Sequence, residues 1–141
     1  MIELPDVNVL VALHFEDHQH HAAATDWLRR CRQFATTPLT ETGFVRVSMN
    51  PVITDVCFSG QEALEALRRL RGHPRAVFWP DDASLIESSV ASRILSGHRQ
   101  VPDLHLLQLA ASRGGVLTTF DAKVIAPLTA SEARKVRLLQ G

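Results

Sequence analysis

The sequence has no surplus of charge in either direction. Fifteen Lys and Arg residues are matched by fifteen Asp and Glu, so overall balance argues neither for nor against a polyanionic partner, and only local patches can. It has just two cysteines, Cys31 and Cys57, and they form no metal or redox spacing; a reduced, cytoplasmic chain is the expectation. No apolar run approaches the roughly 20 residues of a membrane span, and no secretory signal is visible. Internal repeats, low-complexity segments and linkers are also missing. What is there is ordinary for a soluble globular protein: 141 residues with 45% hydrophobic content, enough to bury a core and short enough for one domain over residues 1–141.

Along the chain, strand-like and helix-like segments alternate. "MIELP" predicts a first strand and "VNVLVALHF" a helix leaving it. "HHAAATDWLRRC" places Ala24, Trp27, Leu28 and Cys31 at helical spacing. "QFATTP" predicts a second strand stopped by Pro38, followed by a helix over "TETGFVRVSM" with Thr40 as N-cap. Asn50-Pro51 marks a break. "QEALEALRRLRG" is the clearest amphipathic helix, with Leu64, Leu67 and Leu70 facing in and Gly72 as its end. "AVFWP" predicts a third strand, and "ASLIESSVASRILSG" another helix with Ile86, Val90 and Ile94 four apart. "GVLTTF" and "RKVRLL" supply a fourth and a fifth strand. Such alternation predicts a three-layer α/β/α arrangement around a parallel sheet, whose ligands bind beyond the carboxyl ends of the strands.

The stretch "VPDLHLLQLAASRGGVLTTFD" shows what stands at those ends. It reads as an apolar helix, a Gly114-Gly115 stop and a strand, with Asp103 at one end and Asp121 at the other. Two further acids hold comparable places: Asp6 after the first strand and Glu41 after the second. Asn8 lies two residues past Asp6 and could share its side. Singly, each acid has a structural reading. Asp103 and Glu41 suit the first turn of a helix, and Asp6 and Asp121 suit turns. Converging in one cleft, they would repel one another and raise one another's pKa values, a cost that a cation removes. Carboxylate and amide oxygens are hard donors that suit Mg²⁺ or Mn²⁺. The chemistry this points to is metal-assisted attack of water on a phosphodiester.

The ordered set "PDVNVLVAL", "TETGFVR", "DLHLLQLAA" and "LTTFD", with "EDHQHHAAATDWL" after the first, resembles the PIN-domain ribonucleases of the VapC toxin type over nearly the whole chain. The resemblance implies an α/β/α fold around a five-stranded parallel sheet, cleavage of RNA with Mg²⁺ or Mn²⁺, a small protein antitoxin and a homodimer. By the same resemblance Asp6 and Asp103 are metal ligands, and Glu41 and Asp121 complete the catalytic acids. Asn8, Thr40 and Thr119 are supporting polar residues, and Arg46 closes the T-E-x-x-x-x-R pattern. The chain departs from many relatives at Lys123, where a further acid is usual. Lys123 and Arg46 are candidates for contact with RNA.

Other features carry other readings. His18 and His21 could share a helix face, but third and fourth zinc ligands are missing nearby, so zinc is not expected. His105 could reach the cleft rim or be buried, and Trp79 could be exposed or cap the core. Trp27 reads as packing. The run Arg68, Arg69, Arg71, His73 and Arg75 is a solvated face or a track for a phosphate backbone. A receiver-type phospho-accepting domain would need paired acids after the first strand and an aspartate after the third, where "WPDD" offers Asp81 or Asp82; it leaves Asp103 and Asp121 unexplained. A catalytically silent binding module is opposed by the intact acids.

Overall fold

The computed structural model describes residues 1–54 and 58–141; Cys57 lies outside them, and Cys31 is a free, buried thiol. Its elements are β1 (Ile2–Pro5), α1 (Val7–His14), α2 (His21–Arg30), β2 (Gln33–Thr36), α3 (Pro38–Ser48), α4 (Pro51–Thr54) and α5 (Gly60–Arg71). There follow β3 (Ala76–Phe78), α6 (Ser89–Ile94), α7 (Val101–Ser112), β4 (Val116–Thr119), α8 (Ala130–Ala133) and β5 (Val136–Leu138). The strands pair in the order β3-β2-β1-β4-β5, every pairing parallel. This is the expected three-layer α/β/α architecture.

Alternation along each strand sorts side chains between the two faces. Leu4, Ala35, Leu117 and Val136 stand on one face and pack against Leu106, Leu107, Leu109 and Ala110 of α7. Phe34 stands on the other, against Val9 of α1 and Trp27 of α2. A third cluster, Leu10, Val11, Phe44 and Ala66, joins α1, α3 and α5 to one another. Helix α7 carries five buried apolar residues, which is why its sequence shows little amphipathic period.

Among the described residues one charged side chain, Glu3, lies in this interior. Glu3 is 7% exposed. Its Oε1 accepts hydrogen bonds from Trp27 Nε1 at 2.9 Å and Thr118 Oγ1 at 2.8 Å, and pairs with Arg137 Nε at 2.8 Å. A buried carboxylate is tolerated when it is paired and hydrogen-bonded in this way. Trp27 therefore packs, as expected, and also serves as a donor. The sequence signal was a carboxylate in the middle of an apolar strand, which always needs a partner.

Several local expectations are corrected. Helix α3 starts earlier than expected: Thr37 is the N-cap, Pro38 follows it, and Thr40 is the third helical residue, closing a reciprocal capping box with Thr37. Proline at the first helical position loses nothing, because that N–H has no partner within the helix. In α5 Leu67 and Leu70 pack inward as expected, but Leu64 is exposed and the fully buried positions are Ala63 and Ala66, whose small side chains let α5 approach α3. The segment around Ile86 is not one helix. Ser84 accepts from the N–H of Ile86 to start a 3₁₀ turn, and Ser88 accepts from Ala91 to start α6. Serines that bond nearby backbone restart a helix rather than continue it, and Ile86 is left 94% exposed. Trp79 is buried with the α7 cluster.

Gly114 and Gly115 end α7 for different reasons. Gly114 has a φ of 68°, which suits a residue without a Cβ. At Gly115 a Cβ would meet the carbonyl oxygen of Ile2 at 2.4 Å, so the close approach of β4 to β1 demands glycine.

The strand order also answers the receiver reading. In receiver folds the order is 2-1-3-4-5 and the third strand is central; here β3 is at the edge. Asp81 and Asp82 are engaged with His105 and Arg113.

Candidate active site

Strand β1 lies between β2 and β4. The chain runs outward from β1 through β2 to β3, then returns to place β4 on the other side of β1. The crevice beyond the carboxyl ends of β1 and β4 is thus the topological switch point, where α/β folds bind ligands. Asp6 follows β1 and Asp121 follows β4 within two residues. The backbones are tied there, since the Asp6 N–H donates to Thr118 O at 2.8 Å.

Asp6 is the N-cap of α1, its Oδ1 accepting from the Val7 N–H at 2.7 Å. Its Oδ2 accepts from Thr119 Oγ1 at 3.2 Å and Asn8 Nδ2 at 3.4 Å. Asn8 Nδ2 also reaches Thr119 Oγ1 at 3.2 Å, and Asn8 Oδ1 accepts from the Phe120 N–H at 3.3 Å. Thr119 Oγ1 in turn accepts from the Asp121 N–H at 3.1 Å. Asn8 and Thr119 thereby lock the end of β1 to the end of β4 and fix one oxygen of Asp6.

Asp103, in the first turn of α7, completes the group. Its carboxyl feels the charge of Asp6, and both feel the charge of Asp121. Burial raises the pKa of Asp6, against the lowering pull of its hydrogen bonds. Burial, then the charge and hydrogen bond of Asp6, then the charge of Asp121, push Asp103 up to about 7. Carboxylates held this close make one another harder to ionise, which is why both are raised and Asp103 so far.

Glu41 is placed apart. Its side chain, only 14% exposed, accepts from Thr36 Oγ1 at 2.7 Å and pairs with Arg71 Nε at 3.4 Å. Arg71 also lies over the Phe78 ring, 4.5 Å from its centre. Among the described residues no hydrogen bond or ion pair joins Glu41 to the three aspartates. Nor is any trio of His, Cys, Asp or Glu side chains among them already gathered around one point as a coordination sphere. Asp6, Asp103 and Asp121 are thus coupled through their charges, while Glu41, after β2, is engaged by an arginine.

The chain matches the PIN-domain family over residues 4–127. It is 47% identical over 128 residues to Ribonuclease VapC39 of Mycobacterium tuberculosis, covering 86% of this chain and 90% of that protein. This chain belongs to the PIN-domain family, in its VapC branch. Ribonucleases VapC38 and VapC29 of the same organism are 46% and 40% identical over 126 residues each, covering 86% of this chain and 86% and 87% of those proteins.

Within this PIN domain the remaining candidates fall as follows. The Thr40 hydroxyl is buried and turned back to Thr37, so it builds α3 and does not enter the crevice; the hydroxyl that touches an acid from this side is Thr36. Arg46 is exposed and five residues beyond Glu41, about 140° around the helix, so it does not line the crevice with Glu41. Lys123 is exposed, and its backbone N–H donates to Asp121 Oδ1 at 2.9 Å. His105 pairs with Asp81 at 2.7 Å, on the far side of α7 from Asp103. The amino-terminal histidines are engaged separately. His21 donates from Nδ1 to Ala12 O at 2.8 Å, and His20 stacks on Phe120 at 4.5 Å. In the basic run, Arg75 caps backbone carbonyls through Cys31 O at 2.6 Å, while Arg68 and Arg69 are exposed. Among the described residues no helix is long and apolar enough to cross a membrane.

Proposed function

We propose that this PIN domain hydrolyses RNA phosphodiesters with a divalent cation, Mg²⁺ or Mn²⁺, and that it is the toxin of a toxin–antitoxin pair. The observation that carries the reading is the cluster of Asp6, Asp103 and Asp121 at the switch point, in a chain whose relatives are named ribonucleases. The donor set fits such a cation. Asp6 and Asp103 are carboxyl groups whose burial and mutual charge resist ionisation, a cost that a hard dication between them would remove. These two residues would hold it. When bound, the ion supplies Lewis-acid polarisation of a phosphoryl oxygen and makes water more acidic.

The protein's own groups do the rest. Thr119 and Asn8 keep Asp6 Oδ2 in place, so the carboxylate does not have to reorganise on binding. Asp121 presents its second oxygen, Oδ2, to the crevice as the atom that receives a proton from the attacking water, Oδ1 being taken by the Lys123 N–H. Lys123 extends from the same turn, where an ammonium can meet a neighbouring phosphate. Glu41 joins the acids when Arg71 releases it. The ion pair is half open to solvent on the arginine side and worth about 1 kcal/mol, so the exchange is cheap.

A small antitoxin and a second copy of the chain are the partners this reading implies. The test is incubation of the purified chain with total RNA in Mg²⁺, Mn²⁺ or EDTA, followed by end mapping. Defined ends are expected with metal and none in EDTA, and Asp6→Asn and Asp103→Asn should each abolish them. Undiminished cleavage by folded Asp6→Asn protein would end the metal-nuclease reading. Growth arrest on expression of the chain, relieved by the small protein encoded beside it, tests the toxin reading separately.

A further inference from the structure

A cleft of about 300 Å³ opens from two of the acids, Asp103 and Asp121. One wall is the junction of α6 and α7, with Ile94, Arg99 and Leu104; the other is the turn after β4, with Lys123, Val124 and Pro127. Asp103 and Asp121 form its inner end. The α6–α7 wall is braced, because Gln100 Oε1 accepts from the N–H groups of Ser96 at 2.7 Å and Gly97 at 3.0 Å. The cleft is therefore a built feature and not a gap between loose side chains.

Its lining combines three chemistries. The floor is apolar, from Leu104 and Val124, both buried, together with Ile94 and Pro127. Arg99, from the α6–α7 junction, and Lys123, from the turn after β4, both line it, and among the described residues neither makes an ion pair. The carboxylates at the inner end are acceptors. An apolar floor suits the face of a base, unpaired cations suit a phosphate, and carboxylates accept from sugar hydroxyls and base amino groups. The size is at the lower end for small-molecule pockets, which matches one nucleoside.

We infer that this cleft is a nucleotide subsite. One residue of the RNA seats its base between Leu104 and Val124 and its flanking phosphate between Arg99 and Lys123, which presents the adjoining phosphodiester to the aspartates. The inference rests on the RNA reading above and adds the place where the substrate is gripped. A basic peptide is the alternative occupant, since the inner acids would attract it; the two free cations oppose it and favour an anion.

The test uses the full chain in EDTA, where no cleavage occurs, and a 5′-phosphorylated RNA trinucleotide. In an amide NMR titration, the signals of Arg99, Leu104 and Val124 should shift, while those around Glu3 and Trp27 should not. Arg99→Ala should weaken binding three- to tenfold and flatten its salt dependence by somewhat under one phosphate contact, for which the single-strand slope is about 0.7. Arg134→Ala, an exposed arginine elsewhere, should change neither. Shifts confined to the surroundings of Glu41 and Arg71, or Arg99→Ala binding at wild-type strength, overturn the subsite and leave the RNA reading standing. No binding of RNA at all overturns both. Tighter occupancy of the same amides by an arginine-rich peptide than by RNA also overturns the subsite and assigns the cleft to a protein partner.

Discussion

Replacing Asp103 by Asn should stabilise the metal-free protein, and by an amount that depends on pH in a defined direction. In the folded state the Asp103 carboxyl loses its proton near 7, against 3.8 for an ordinary aspartate. Burial is the first cause and the Asp6 charge the second. Below about 4 the group is protonated folded and unfolded, and it contributes nothing. Between 3.8 and about 7 the folded state holds a proton that the unfolded state has released, so stability falls as pH rises through that window. Above it the loss is constant. At about 1.4 kcal/mol per pH unit the ceiling is about 4 kcal/mol. Asp103 is partly open to water and titrates together with Asp6, so screening brings the effect to about 1–2 kcal/mol. For a chain of this size that is about 3–8 °C in Tm. The assay is thermal melting by circular dichroism in EDTA, wild type beside Asp103→Asn, from pH 4 to pH 8. The variant's advantage should be near zero at pH 4, grow through pH 5 to 7 and level off at pH 8. Added Mg²⁺ should then raise the wild type and narrow the gap, because a ligand of the folded state stabilises it by mass action. An advantage that is the same at every pH, or a variant that melts lower at pH 8, refutes the account of the raised Asp103 pKa.

Three further outcomes follow from the structure. Trp27→Phe removes a donor from the buried carboxylate of Glu3 and should cost about 1.5–3 kcal/mol in urea unfolding, with no effect on metal binding, since Glu3 lies away from the crevice. Gly115→Ala forces a methyl group onto the Ile2 carbonyl at 2.4 Å and should cost about 1–3 kcal/mol, read by the same titration. Lys123→Ala should weaken RNA binding and lower its salt slope by about 0.7, measured by fluorescence anisotropy; an unchanged slope would assign the ammonium to solvent.

Much of this protein is written locally. The alternation of short apolar strands with helical periods determined the parallel α/β/α fold, because strands of three or four residues and helices ended by Gly72 and by Gly114-Gly115 leave few other arrangements. The position of Asp6, Asp103 and Asp121 at strand or helix ends was equally readable, as each sits next to a change of element. Tertiary structure decided everything that depends on neighbours distant in sequence. Strand order put Asp6 beside Asp121 and made their ends one crevice. Packing of the first turn of α7 raised the pKa of Asp103, since desolvation is a property of the assembled core. Arg71, thirty residues from Glu41, is the cation that acid pairs with. The pairing of buried Glu3 with Arg137 depends on the register of β4 with β5. Residue type and spacing specify which chemistry a chain can carry; which carboxylates meet, and with which cation, depends on distances that only the folded chain sets.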